Sequence, residues 1–292
     1  MSSVPLPSES ALPQGMALDE RGAADSRYCA TLPQVGDAVA GAWRDGVGLW
    51  IESPTLAALA ERVGAEVHDG VGRLHFGPGR RGQLDRLASR VLQWVVAATV
   101  LLLGLPVWVL LGLVVLIADR RWPLHVGLRT GQRGTPFSCV KLRTMQVGAE
   151  NGEHLRERRD FIRGEPPLFV AKGRPVVKNP VDPRVTPVGR LLRRTSLDEV
   201  PQFLHVLTGR MNVVGPRPYV VEETEAFAPW HRSREACLPG ITGLWQINGR
   251  SEVSFDESVV LDLYYMSNAS FWFDLHIMLI TPWRMLMGVG GY

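Results

Sequence analysis

Asp198 and Glu199 stand side by side in RRTSLDEVPQ, with Arg193 and Arg194 shortly upstream and Pro201 just behind. Adjacent carboxylates suit Mg²⁺, which takes one or two carboxylates together with substrate phosphates. Further on, Gly215-Pro216-Arg217-Pro218 holds one arginine between two prolines, each with φ fixed at about −65°. A guanidinium on so stiff a loop loses little entropy on gripping a phosphate, and it grips bidentately. Each feature also has a plainer reading. Ser196 and Glu199 have capping-box spacing, so the pair reads as a helix N-terminus, and GPRP reads as a turn. A helix begun at Ser196 would bury Pro201 one residue too deep. Begun at Pro201, it has proline at the favoured first position and Asp198-Glu199 immediately before its N-terminus.

The segment that holds this chemistry near its medium is 91–118, a run of 28 residues without a charged side chain and with Pro106 near its centre. At about 1.5 Å per residue a straight helix of this length measures about 42 Å, more than the ~30 Å of a bilayer core. Pro106 removes a backbone donor and clashes with the preceding turn, so a break is expected there. Arg80, Arg81, Arg86 and Arg90 precede the run, and Arg120 and Arg121 follow it. Basic residues favour the cytoplasmic side, and here both flanks are basic, so the expectation is a re-entrant hairpin with both ends cytoplasmic. A kinked but ordinary transmembrane helix is the alternative.

Charge is divided unevenly within a net +3. Residues 1–90 carry 9 Arg against 11 Asp and Glu, and the remainder carries 23 basic against 18 acidic residues. A basic region beside a membrane suits anionic headgroups or phosphorylated substrates. Cys29, Cys139 and Cys237 form no CxxC pair, which argues against a disulfide framework or a zinc site. The seven histidines show no HExxH-type spacing. No secretory signal is read at the start of the chain, and residues 1–27, rich in Ser, Pro, Ala and Gly, are expected to be disordered. Residues 28–82 read as a small accessory region. GVGLWIE and VGRLHFG resemble strands, and SPTLAALAERVG a helix with Ser53 ahead of Pro54. Beyond the apolar run, FSCVKLRTM reads as a strand leading into a basic turn, ENGEHLRERRDFIR and DESVVLDLYYMSNAS as helices, and LPGITGLWQING as turns. Leu191, Leu192, Leu204, Val206 and Leu207 give 187–208 a helical pattern that Gly209 can end. FWFDLHIMLITPWRMLM suits the membrane interface, with Trp272 and Trp283 at headgroup depth; a core helix is the alternative.

KLRTM at 141–145, DPRVTPVGRLLRRTSLDEVPQ at 182–202, NVVGPRP at 212–218 and LPGITGLWQINGR at 238–250 together resemble the bacterial sugar transferases. These are monotopic polyprenyl-phosphate phosphoglycosyl transferases, and the resemblance covers about residues 88–290. It implies an α/β, helix-rich monotopic protein. Residues 83–121 would form a re-entrant membrane helix broken at Pro106, and 122–292 a compact cytosolic catalytic domain with interfacial amphipathic helices. It implies transfer of a sugar 1-phosphate from a UDP-sugar to undecaprenyl phosphate at the bacterial inner membrane, with Mg²⁺, releasing UMP. Asp198 matches the family's nucleophile and Glu199 its dyad partner, the two also being the metal ligands. Arg193 and Arg217 match phosphate-holding arginines, and Lys141 and Arg143 sit in a further shared motif. Inner-membrane lipids are implied partners; nucleic acid is not, and a homodimer is left open.

Two departures stand out. Family members usually carry Phe-Arg-Gln after the membrane helix, whereas this chain reads HVGLR at 125–129, so that arginine is missing or shifted to Arg129. Many read Ser-Pro at the break, where this chain has Leu105-Pro106. The LWQINGR region resembles hexose-type members and favours glucose or galactose. The rival readings are a catalytically silent scaffold for glycan assembly and a bitopic sensor with residues 1–90 outside the cell. An intact Asp198-Glu199 pair and GPRP loop argue against the scaffold.

Overall fold

In a computed structural model, the described residues are 27–77, 81–146, 148, 152–165, 169–171, 174–176, 182–248 and 253–286. The expectation for residues 1–26 lies outside them. The chain divides into two compact units, one of residues 1–80 with Leu263–Asn268, the other Arg81–Asp262 with Ala269–Tyr292.

In the first unit, β1 (Arg27–Tyr28), α1 (Leu32–Asp45), β2 (Leu49–Ser53), α2 (Ala57–Val63), β3 (Val67–His68) and β4 (Val71–Phe76) build a four-stranded sheet. Its order is β1-β2-β4-β3, with β1 parallel to β2 and the other pairs antiparallel. Period-two alternation turns Leu49 and Ile51 of β2, and Leu74 and Phe76 of β4, into a core completed by Leu56 and Leu59. Both strands and the helix read from the sequence are present. The Ser53 hydroxyl accepts from the amide of Thr55 at 3.2 Å and opens a 3₁₀ turn, Pro54–Leu56, ahead of α2.

The second unit opens with α3 (Gln83–Asp119), which runs as one helix through Pro106, so the break expected there does not interrupt the helix: the proline removes one backbone donor, and the turns on either side keep their helical conformation. Among the described residues it is the helix long and apolar enough to cross a membrane, and little of its apolar stretch is covered by other residues. This marks the protein as membrane-associated. Gly104 has a local reason. A Cβ there would come within 2.3 Å of the Trp108 indole nitrogen, so only glycine lets that ring fold back along the helix. The hairpin β5 (Leu124–Thr130) and β6 (Pro136–Leu142) follows, then α4 (Gly152–Ile162) and a small hairpin of β7 (Phe169–Ala171) and β8 (Arg174–Val176). α5 (Pro187–Thr195), α6 (Phe203–Leu207), β9 (Asn212–Val214), β10 (Gly240–Thr242), α7 (Leu244–Asn248), α8 (Phe255–Asn268) and α9 (Phe271–Leu286) complete it, the last turns of α8 belonging to the first unit. The fold is thus mixed α/β and rich in helix, as the sequence implied.

Three local expectations need correction. The helix after the acidic pair starts at Phe203, two residues later than the proline rule indicated; Pro201 lies inside a 3₁₀ segment, Leu197–Gln202. Ser196 makes no capping box, because it takes the left-handed conformation, φ +52°, that ends α5. The stretch read only as turns, LPGITGLWQING, contributes a strand, β10, parallel to β9, and a helix, α7. Neither is long enough to show a period, so composition alone hid both.

Candidate active site

The β5–β6 hairpin pairs His125 with Lys141 and Gly127 with Cys139. Alternation places these residues on one face with Arg129. With Glu199, Gln202, Arg217 and Pro218 they line a cleft with about 430 Å³ of empty space. Glu199 enters it, with the buried Asp198 next to it in the chain, because of two backbone devices. Thr186 caps α5, its hydroxyl accepting from the Gly189 amide at 3.0 Å. Gly189 must be glycine, since a Cβ would lie 2.1 Å from the Thr144 carbonyl oxygen. The left-handed Ser196 then turns the chain sharply into the 3₁₀ segment that carries Asp198 and Glu199 over β6.

Asp198 is only 7% exposed. Burial first, and the Glu199 charge second, push its carboxyl up to about 6, against the pull of Lys141, Arg193 and Arg217. Glu199 is gripped by the Arg217 fork, Nη2 to Oε1 at 2.5 Å and Nη1 to Oε2 at 3.3 Å. That carboxylate holds the Arg217 guanidinium charged despite burial. Lys141 is pushed down to about 8 by burial, with the Arg129 charge adding to it. Burial also lowers Arg193, whose Nε donates to the Thr144 hydroxyl at 2.9 Å.

The rigid loop has its own anchorage. The Gly215 amide donates to the Thr242 carbonyl at 2.9 Å, and the Gly240 amide to the Pro216 carbonyl at 2.8 Å. A Cβ on Gly240 would lie 2.1 Å from the Gly215 nitrogen, so the close crossing of β9 and β10 requires glycine. On the other edge of β9, the Gln93 side chain of α3 accepts from the Val213 amide at 2.7 Å and the Val214 amide at 3.4 Å. Its amide nitrogen reaches Asp274, which is fully buried on α9. Arg81 grips that carboxylate with two bonds of 3.0 Å, and the Ser89 hydroxyl donates to it at 2.5 Å. The membrane helix thus braces the strand that presents Arg217. Gln93→Leu leaves the Val213 amide buried without a partner, and we expect it to lower unfolding free energy by about 1–3 kcal/mol; thermal unfolding in detergent checks this.

Of the residues singled out from sequence, Lys141, Arg193, Asp198, Glu199 and Arg217 come together as one electrostatic group. Arg143 stands apart from the cleft lining. Its Nε donates to the Trp122 carbonyl at 2.9 Å and its Nη2 to the Leu124 carbonyl at 3.3 Å, fastening the chain where it leaves α3. Arg129, noticed in sequence only as a displaced arginine, lines the cleft, as do His125, Cys139 and Gln202, which motif reading passed over. Period-two alternation in HVGLR opposite Lys141 was the available signal.

A cleft lined by Arg129, Lys141, Glu199 and Arg217, with Asp198 buried beside Glu199, in a unit that opens with a long apolar helix, marks the candidate site of a membrane-associated protein. The model of the bacterial sugar transferase family matches residues 84–288, and the chain belongs to that family. It is therefore a transferase. It is 38% identical over 210 residues to the exopolysaccharide production protein ExoY of Rhizobium meliloti (strain 1021), covering 70% of this chain and 88% of that protein. It is 34% identical over 208 residues to an undecaprenyl-phosphate galactose phosphotransferase of Salmonella typhimurium (strain LT2), covering 71% of this chain. It is 35% identical over 217 residues to the UDP-glucose:undecaprenyl-phosphate glucose-1-phosphate transferase of Escherichia coli (strain K12), covering 72% of this chain. The matched region spans 42% of each of these two longer relatives.

Proposed function

We propose that the protein transfers a sugar 1-phosphate, with glucose or galactose preferred, from a UDP-sugar to undecaprenyl phosphate. This would be the first membrane step in making an exopolysaccharide, capsule or O-antigen. The observation that carries the reading is the buried Asp198 carboxylate, which feels the charges of Glu199, Lys141, Arg193 and Arg217, three of which line the cleft together with Arg129. The names of the phosphotransferase relatives support the same donor and acceptor.

In this mechanism Arg217, Lys141, Arg193 and Arg129 hold the diphosphate of the donor. An Asp198 oxygen attacks the phosphorus that bears the sugar, the bond to the UMP oxygen breaks, and UMP leaves with that electron pair. The undecaprenyl phosphate oxygen then attacks the acyl phosphate, and the Asp198 carboxylate departs. An ionised carboxylate needs no base to act, so the upward shift of Asp198 toward 6 still leaves it ionised at neutral pH. Among the described residues no cluster of three or more metal-type ligands exists. The adjacent carboxylates fit Mg²⁺ in the manner that takes one or two carboxylates plus substrate phosphates. Asp198 and Glu199 would hold it, and when bound it neutralises part of the diphosphate charge.

Lys141 gives a pH signature. It is cationic below about 8 and loses its charge above that value. We expect kcat/KM for the nucleotide sugar to fall above pH 8, and Lys141→Arg to remove that decline, as pH–rate profiles of the two proteins will show.

A re-entrant membrane helix, with the catalytic unit on the cytoplasmic face of the inner membrane, accounts for how α3 is docked. Gln93 and Ala97 before Pro106, and Val115 after it, are buried, Gln93 against β9 and Val115 with Leu142 and Leu192. Residues 98–114 between them measure about 26 Å as a helix, less than a ~30 Å core. Apolar side chains exposed on neighbouring elements, Leu191, Leu204, Leu207, Trp272 and Trp283, suit the lipid interface.

The test is UMP release by purified protein from a panel of UDP-sugars with undecaprenyl phosphate and Mg²⁺. Lipid-dependent release from at least one UDP-sugar is expected; its absence with every donor would overturn the assignment.

A further inference from the structure

α5 turns its two faces to different surroundings. Leu192 is buried and packs with Val115 of α3 and Leu142 of β6, while the Nε of Arg193 donates to the Thr144 hydroxyl at 2.9 Å. On the other face Pro187, Arg190, Leu191 and Arg194 are exposed. Their spacing, i, i+3, i+4 and i+7, puts them in one stripe along the helix. Leu191 is 60% exposed in that stripe, with an arginine before it and another one turn after it. Among the described residues, neither the Arg190 nor the Arg194 side chain makes a hydrogen bond or an ion pair.

The contact with α3 sets the level of this stripe. Val115 stands five residues before Arg120, about 7.5 Å along the helix axis. The headgroup layer extends roughly 5–8 Å beyond each side of the hydrocarbon core. The end of α3 meets a membrane surface whether the helix re-enters or spans, so α5, held against Val115 through Leu192, stands at the height of the headgroups. Arg120, Arg121 and Trp122, all exposed, close α3 at the same level. A leucine among arginines suits that layer, its side chain entering the acyl boundary while the guanidinium groups reach phosphates. The positive charges are without acidic partners on the protein, and their complement is a surface of net negative charge rather than a zwitterionic one.

We propose that the Arg190–Leu191–Arg194 face of α5 is a docking surface for anionic phospholipid headgroups. The same helix runs through Ser196 into the segment that carries Asp198 and Glu199, so docking fixes the height of the cleft above the lipid. The assignment stands on the membrane-associated fold and holds whichever reaction the cleft performs.

The experiment reconstitutes full-length protein in phosphatidylcholine bilayers that carry a trace of chain-labelled phosphatidylglycerol or chain-labelled phosphatidylcholine. Energy transfer from the tryptophans to each label gives the relative association of the two lipids. Wild type is compared with Arg190→Gln/Arg194→Gln and with Arg190→Lys/Arg194→Lys. Each basic residue at an anionic surface strengthens association about fivefold. Wild type is expected to prefer phosphatidylglycerol, and high salt to weaken that preference. The preference falls by about fivefold or more in the glutamine pair and stays within about twofold of wild type in the lysine pair. Both side chains are exposed, so the unfolding midpoints are expected to match; Arg194→Gln alone replaces the glutamine pair if its midpoint differs. An unchanged preference in the glutamine variant would overturn the proposal and leave the face to an acidic protein partner. Loss of the wild-type preference in inorganic phosphate, beyond that in chloride of equal ionic strength, would also overturn it, because the face would then be a site for soluble phosphate.

Discussion

Asp198→Asn abolishes sugar-phosphate transfer, lowering kcat by about 10⁴-fold or more, and at the same time makes the protein more stable at neutral pH. The amide cannot displace UMP, so the first bond is never made. The gain in stability follows from burial. An aspartate in an unfolded chain titrates near 3.9, whereas burial and Glu199 push Asp198 up to about 6 in the folded protein. The folded state therefore holds its proton more tightly, and stability is lost as pH rises from about 4 through 6. Asparagine escapes that penalty. The difference in unfolding free energy between variant and wild type approaches about 3 kcal/mol above pH 7 and vanishes below pH 4. Denaturant unfolding at pH 4 and pH 7.5, beside UMP release, measures both effects. Loss of activity without any pH-dependent gain would mean that the carboxylate is better solvated than its surroundings indicate.

Arg217→Ala produces the second large effect, through a different route. It removes a phosphate-holding guanidinium and leaves the half-buried Glu199 without the fork that satisfies both its oxygens. We expect about 10²–10³-fold loss in kcat/KM and about 2–4 kcal/mol of stability lost, mainly because the Glu199 carboxylate loses its bidentate partner. The double variant Arg217→Ala/Glu199→Gln separates the two contributions. It regains much of the stability, because the charge that lost its fork is gone, and regains no activity, because the Arg217 grip is still missing and a carboxylate placed to hold Mg²⁺ is lost with it. Arg217→Lys keeps a charge but not the planar fork, and falls between wild type and alanine in both measurements.

The site was legible in sequence where function depends on short, stiff motifs. The tandem Asp198-Glu199, the proline-flanked Arg217 and the KLRTM lysine announce themselves locally, and the structure brings them into one group. Arg143 shares the KLRTM motif yet turns to the Trp122 and Leu124 carbonyls, because β6 ends at Leu142 and strand alternation no longer sets the direction of the next side chain. The role of Arg129 was hidden for the complementary reason. Its place in the cleft depends on which residues of β5 stand opposite β6, a long-range pairing that spacing alone does not fix. The left-handed Ser196 was the least readable element. Non-glycine residues seldom adopt that conformation, so the sequence offered a capping box where the chain makes a sharp turn. Gln93 was invisible as well. It sits inside the apolar run as an ordinary membrane-helix residue, and only the fold brings it to the edge of β9.

The proposed chemistry rests on Asp198 carrying the phosphosugar between two half-reactions. The measurement that tests it most directly mixes the purified protein with an accepted UDP-sugar and Mg²⁺ but no lipid acceptor, quenches, and reads both UMP and peptide mass. The account predicts UMP approaching one equivalent per active site and a phosphosugar adduct on the peptide that carries Asp198, lost when undecaprenyl phosphate is added. UMP appearing only when the lipid acceptor is present, with no adduct at any time, would contradict it and point to direct transfer between the two substrates.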